Sequence, residues 1–153
     1  TPMQWADIKS GGFSEADPSH LYAPVISDET YGYHEVNVEA QHNKPASLLN
    51  RTRQMILTRR EHVAFGRGGN RFLAPECTSI LAYLRTHADE TILVVNNLSE
   101  EPQTCELELS GLMGMAVEDL FTGERLADVG EEPYRLDLGR YEWRWLDVKM
   151  ING

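Results

Sequence analysis

The 153-residue sequence is poor in cysteine, short of basic residues and without long apolar runs. Its two cysteines, Cys77 and Cys105, lie far apart, with no CxxC pair or Cys/His cluster beside them. That argues against a zinc site and for two buried free thiols rather than a disulfide, as in a protein of a reducing compartment. Lysine and arginine number 14 against 24 acidic residues, a net charge of −10. Such a balance repels phosphate backbones and anionic lipid, so neither nucleic acid nor a membrane is expected as a partner. No apolar stretch approaches the ~20 residues of a bilayer span. The first residues are polar, with no basic-then-apolar order, and so do not read as a secretory signal. A cytoplasmic protein is the resulting expectation. The chain does not begin with Met, which fits a piece of a longer protein.

What is present is an ordinary globular mix, 41% hydrophobic and 25% charged, in a chain long enough for a real core. A neutral substrate such as a sugar suits the acidity. From Thr1 to Lys44 there is little periodicity; Pro, Gly, Asp and Ser are interspersed with Trp5, Phe13, Tyr22, Tyr31 and Tyr33. So long an irregular segment is odd in a free-standing domain and reads as a loop packed on something larger. A helix is predicted from about Pro45, a first-turn proline, to about His62. Leu48, Leu49, Thr52, Met55, Ile56 and Arg59 form its mainly apolar face, and Gly66 follows as a stop signal. The apolar face left open predicts self-association of the chain on its own.

From Asn70 the pattern changes to short strands. Ser79–Thr86 and Thr91–Leu98 flank a turn at His87-Ala88-Asp89-Glu90. The run Ile92-Leu93-Val94-Val95 has no polar face and belongs in mid-sandwich. Cys105, Leu107 and Leu109 alternate with polar residues, as do Tyr134, Leu136 and Leu138. Met115–Leu120 and Arg125–Val129 flank a turn at Thr122-Gly123-Glu124, and Tyr141–Val148 closes the set. About seven such strands make the fold class mainly β: an antiparallel β-sandwich preceded by one helix and an irregular loop segment.

Several local patterns carry a sharp and a plain reading. Asn50-Arg51-Thr52 and Asn97-Leu98-Ser99 match the glycosylation sequon but fall on a helix and a strand end, as chance matches do. His34, Glu39 and His42 match no metal-ligand spacing. Ser14, Asp17 and His20 form no recognisable triad. Gly66-Arg67-Gly68-Gly69 follows a helix and lacks GK[ST], so it reads as a turn. Tyr141, Trp143 and Trp145 share one strand face and read as inter-sheet core, with stacking on a glucan as the alternative.

A series of blocks runs along the chain: Thr1-Pro2-Met3-Gln4-Trp5, Gly11-Gly12-Phe13-Ser14, Ala16-Asp17-Pro18, Tyr31-Gly32-Tyr33, Val36-Asn37-Val38-Glu39-Ala40-Gln41, Ser47 to Arg53, and Ala64-Phe65-Gly66-Arg67-Gly68. The series resembles the trehalose synthases, maltose-to-trehalose glucosyl mutases of the alpha-amylase family. The first block is shared with oligo-1,6-glucosidases and sucrose isomerases. The resemblance implies a (β/α)8 barrel followed by a β-sandwich, with residues 1–63 as the end of the barrel and 64–153 as the sandwich. It implies a retaining mechanism on two carboxylates, both carried upstream of Thr1, so no catalytic residue is expected here. Gln4 and Trp5 would contact the sugar or hold the loop from behind. Asp17 would bond a sugar hydroxyl or, as an Asp before Pro18, form a turn. No cofactor or metal is implied. The implied partners are the upstream barrel of the same chain and maltose or trehalose, with a homo-oligomer and a maltokinase as further candidates. Two other readings stand beside this one: a non-catalytic glycan-binding module, and the tail of an oligo-1,6-glucosidase or maltogenic amylase.

Overall fold

A computed structural model describes residues 1–151, and the chain divides into two compact units, the first Thr1–Leu57 and the second beginning at Thr58. In the first unit the chain is mostly irregular, as its composition predicts. It is punctuated by 3-10 turns at Lys9–Gly12 and Pro18–His20 and by a short helix, α1 (Val38–His42). Asn37 caps α1 by accepting from Ala40 N at 2.8 Å. Helix α2 spans Leu48–Glu61 and crosses the division between the units.

The helix does not begin at Pro45. Ser47 is its cap, with Oγ accepting from Asn50 N at 3.2 Å. The Asn50 amide donates to the carbonyls of Gln41, His42 and Lys44, which holds the preceding residues in a turn and keeps Pro45 outside the helix. The expected apolar stripe is largely open: Leu48 is 76% and Ile56 53% exposed, and Thr58 alone is buried among the helix residues.

Gly66 does not end a helix either. After Glu61 the chain starts again as α3 (Val63–Arg67), with Gly66 inside it and Gly68 as its C-cap. The buried side chains of Ala64 and Phe65 pack on Ile92 and Val94, and this burial outweighs the turn-forming tendency of the glycines. The α3 backbone is held from the sheet. Glu90 accepts from Ala64 N at 2.5 Å and pairs with His62 Nδ1 at 2.7 Å. Arg85 donates to the carbonyls of Ala64 and Phe65 at 3.1 and 3.0 Å.

Seven strands follow: β1 Gly69–Leu73, β2 Ile80–His87, β3 Glu90–Asn97, β4 Gln103–Leu107, β5 Ala116–Asp119, β6 Tyr134–Leu138 and β7 Trp143–Lys149. They form an antiparallel five-stranded sheet, β1-β2-β3-β7-β5, and a two-stranded sheet, β4-β6. Leu84, Leu93, Val95 and Leu146 from the larger sheet share one core with Cys105, Leu107, Leu136 and Leu138 from the smaller. This is the expected mainly β sandwich. Strand β3 is apolar on both faces because both are covered: Leu93 and Val95 face the inter-sheet core, while Ile92 and Val94 face α3. In β6 burial alternates strictly, matching the period-two signal of its sequence.

Some expected strands differ. Arg125–Val129 forms no named strand: it makes an isolated bridge, Glu118 to Arg125, with bonds from Leu126 N to Val117 O, from Val129 N to Met115 O and from Gly114 N to Val129 O. Tyr141 precedes β7 with φ +51°, so it leaves the expected aromatic stripe. The two cysteines are free thiols, Cys105 buried and Cys77 half-buried. Burial, with Cys77 nearby, pushes the Cys105 thiol up to about 11.

Candidate functional site

The first unit holds the three residues singled out as sugar contacts. Gln4 is half-buried, and both hydrogens of its amide are committed to backbone: Nε2 donates to Val36 O at 2.5 Å and to Tyr31 O at 3.0 Å. Its own carbonyl accepts from Val38 N, and that of Trp5 from Glu39 N, each at 3.0 Å. The first block is thereby stitched to the start of α1, whose first amides lack intrahelical partners. Trp5, in contrast, is 51% exposed, with its backbone N–H fixed to Gly11 O at 2.7 Å. Gly11 and Gly12 have φ +64° and +71°, which favours glycine there; a Cβ on Gly11 would also meet Tyr33 Cβ at 3.3 Å.

Asp17 stands apart from this pair. Its carboxylate accepts from Ser19 N at 2.9 Å and from Ser19 Oγ at 2.6 Å, capping the 3-10 turn at Pro18. The Ser19 hydroxyl and amide hold the Asp17 carboxyl below its ordinary range. Asp28 is likewise lowered by the amides of Tyr31 and Thr30. Among the described residues, every carboxyl with a resolved shift is lowered, Glu108 and Glu118 included.

A groove of about 550 Å³ opens on this unit, lined by Met3, Gln4, Tyr31, Val38, Gln41 and Leu48 among others. Its lining is mainly apolar, with Gln4, Asn37 and Gln41 among its polar members. Asn37 and Gln41, which sequence reasoning did not single out, prove to be part of this construction. An Asn just before a short helical run is a cap signal, and it stood in the Val36–Gln41 block. His34 pairs with Asp7 rather than with Glu39 or His42. Among the described residues no group of three or more metal-ligating side chains converges.

On the second unit, Trp143 and Trp145 are half-buried and stand edge-on or tilted to Phe121, at centroid distances of 4.7 and 5.2 Å. Trp145 also packs on Phe65 at 4.4 Å. Trp145 thus packs with Ala64, Phe65, Ile92 and Val94 on the α3 side of the sheet and not in the inter-sheet core expected for this stripe. Both sequon asparagines are structural. Asn50 binds three carbonyls, and Asn97, 2% exposed, donates to Glu101 O and Gly139 O.

Residues 70–145 match the family model described as Maltogenic Amylase, C-terminal domain. A trehalose synthase/amylase of Mycobacterium tuberculosis (strain ATCC 25618 / H37Rv) is 41% identical over 150 residues, 96% of this chain and 25% of that protein. A trehalose synthase of Pimelobacter sp. (strain R48) is 43% identical over 149 residues, 95% of this chain and 26% of that protein. An oligo-1,6-glucosidase of Halalkalibacterium halodurans is 33% identical over 97 residues, 63% of this chain and 16% of that protein. Among solved structures, isomaltulose synthase from Klebsiella sp. LX3 superposes with a TM-score of 0.74 at 26% identity, covering 97% of this chain and 25% of that one. The chain thus spans about a quarter of the length of these trehalose synthases.

Proposed function

The chain belongs to the alpha-amylase family, as a counterpart of the C-terminal part of trehalose synthases, and on that footing we propose that it serves an enzyme interconverting maltose and trehalose. Residues 1–63 are the end of a catalytic barrel and residues 64–153 its β-sandwich. The reaction is a retaining double displacement on two upstream carboxylates. The freed glucose must then turn and attack the glucosyl-enzyme before water does, so the pocket must stay closed. The Thr1–Gln41 segment belongs to that closure, at the face of the barrel where strand-end loops build the site. Trp5 is the residue placed to touch sugar, Gln4 holds it from behind, and Asp17 forms a turn. The sandwich has a structural role, with the barrel as its partner; a homo-oligomer and a maltokinase are further partners. The isolated chain is catalytically silent, and the enzyme is cytoplasmic.

One observation carries this reading. Identity to trehalose synthases extends through both units, over 95–96% of the chain, whereas the oligo-1,6-glucosidase match covers 63% of it. The test is to give maltose to the full-length protein and to residues 1–153 alone, and to separate the products. The expected result is trehalose from the former and nothing above buffer from the latter. Glucose without trehalose from the full-length protein would make it a hydrolase and overturn the reading, and turnover by the short chain would overturn its silence.

A further inference from the structure

The hydrogen bonds of the first unit form a continuous chain from Trp5 to α2, with α1 as its middle link. On one side, the carbonyls of Gln4 and Trp5 receive the first two amides of α1, and the Gln4 amide reaches across to Tyr31 O and Val36 O. In the middle, Asn37 caps α1 and donates from Nδ2 to Tyr33 O at 2.8 Å while only 4% exposed. On the other side, Gln41 Oε1 accepts from Leu49 N at 2.9 Å, in the first turn of α2. The Gln41 carbonyl also accepts from Ser47 Oγ at 2.7 Å and from Asn50 Nδ2 at 3.0 Å. A five-residue helix is too short to persist on its own account. These side-chain amides at both ends hold it.

We propose that α1 is a clamp fixing the Trp5 loop to α2, and that Gln4 and Gln41 are positioning residues that decide whether the glucosyl unit passes to glucose or to water. The inference rests on the maltose–trehalose reading above for the nature of the two outcomes. The two residues act through opposite hydrogen-bonding roles. Gln4 works as a donor to two carbonyls, so a carboxylate of the same shape at that position removes both bonds and faces two acceptors. Gln41 works toward α2 as an acceptor, so a carboxylate there keeps the bond from Leu49 N and sits at a helix N-terminus, where negative charge is favoured.

The experiment uses the full-length protein with Gln4→Glu, Gln41→Glu and Gln41→Leu, and reads the ratio of trehalose to free glucose at saturating maltose. Gln4→Glu and Gln41→Leu should each lower that ratio roughly tenfold, below the hundredfold that an ångström of misplacement in a site can cost. Gln41→Glu should keep the wild-type ratio, and Gln41→Leu should keep the KM for maltose, which a general loss of structure would not. An unchanged ratio in Gln41→Leu, or a loss in Gln41→Glu equal to that in Gln41→Leu, overturns the proposal. Should Gln4→Glu fail to fold, the Gln41 pair decides alone. If the wild-type protein makes no trehalose, the functional reading fails and the clamp is judged by hydrogen exchange. Faster exchange at Val38 and Glu39 in the Gln4→Glu protein supports it, and unchanged exchange overturns it.

Discussion

Replacing Asn97 by Ala should destabilise the sandwich more than any exposed substitution near it. The side chain is 2% exposed at the end of β3 and makes four hydrogen bonds. Nδ2 donates to Glu101 O at 2.7 Å and Gly139 O at 2.8 Å; Oδ1 accepts from Ser99 N at 3.0 Å and Ser99 Oγ at 2.8 Å. One residue therefore ties the β3–β4 turn to the β6–β7 turn. At a net ~1 kcal/mol for each bond, the sum is about 4 kcal/mol. Glu101 is exposed and Ser99 half-buried, so water can replace part of what they lose. The expected cost is then about 2–3 kcal/mol, within the range of a broken buried network. Urea denaturation can be read from Trp143 and Trp145 in a Trp5→Phe background. With a slope of about 2 kcal/mol per molar, the midpoint should fall by about 1 M at unchanged slope. Leu98→Ala, at a side chain 63% exposed, is the control and should stay within about 0.5 kcal/mol. A loss in Asn97→Ala no larger than in that control would refute the reasoning, and with it the view that this sequon asparagine is committed to structure.

Two neighbouring glycines should respond oppositely to Ala. At Gly66, inside α3, a Cβ meets nothing within 4 Å, so Gly66→Ala should stabilise by about 0.5–1 kcal/mol; at Gly68 a Cβ would lie 2.5 Å from Ala64 O and 2.9 Å from Thr86 O, so Gly68→Ala should lower the melting temperature clearly. Equal shifts in a thermal melt would argue against the α3 geometry. The thiols should separate by reactivity, since the thiolate is the nucleophile and burial lifts Cys105 to about 11. At pH 8 an alkylating reagent should label Cys77 first, with Cys105 reacting only on unfolding or as pH rises towards that value; mass spectrometry of the labelled peptides checks the order, and early labelling of Cys105 would contradict its burial.

The second unit was largely legible because its stability is apolar and periodic. Cys105 pairs with Leu136 and Leu107 with Tyr134 across the β4–β6 ladder, so two alternating runs meet in the one register that buries both. The central place of β3 follows from its lack of a polar face. What the pattern does not contain is the order of strands: β7 lies between β3 and β5, and nothing local in the sequence says so. Strand β1 escaped because it is an edge with little to bury: its first four residues are exposed, and Gly69 belongs to the stretch that reads as a turn. The glycines around Gly66 misled for a related reason. A glycine is a stop signal only when nothing nearby profits from burial, and Ala64 and Phe65 do.

The first unit was illegible to periodicity for a different physical cause. Its backbone is held by Gln4, Asn37, Gln41, Asn50 and Asp17, each bonding main-chain groups several to many residues away or in its own turn. Such bonds follow from the identity and exact reach of one side chain, not from a recurring class of residue. A Leu can become a Met in the sandwich core at small cost, but no other side chain supplies the two donors of Gln4 at the same length. A segment built this way has no hydrophobic pattern to read, yet its individual residues are strongly specified. That is why the blocks Thr1–Trp5 and Val36–Gln41 carried the resemblance while showing no periodicity, the Asn37 cap being the one local sign of α1. It also places specified hydrogen bonds on both sides of α1, so that a carboxylate should be damaging at Gln4, a donor to two carbonyls, and tolerated at Gln41, an acceptor toward α2.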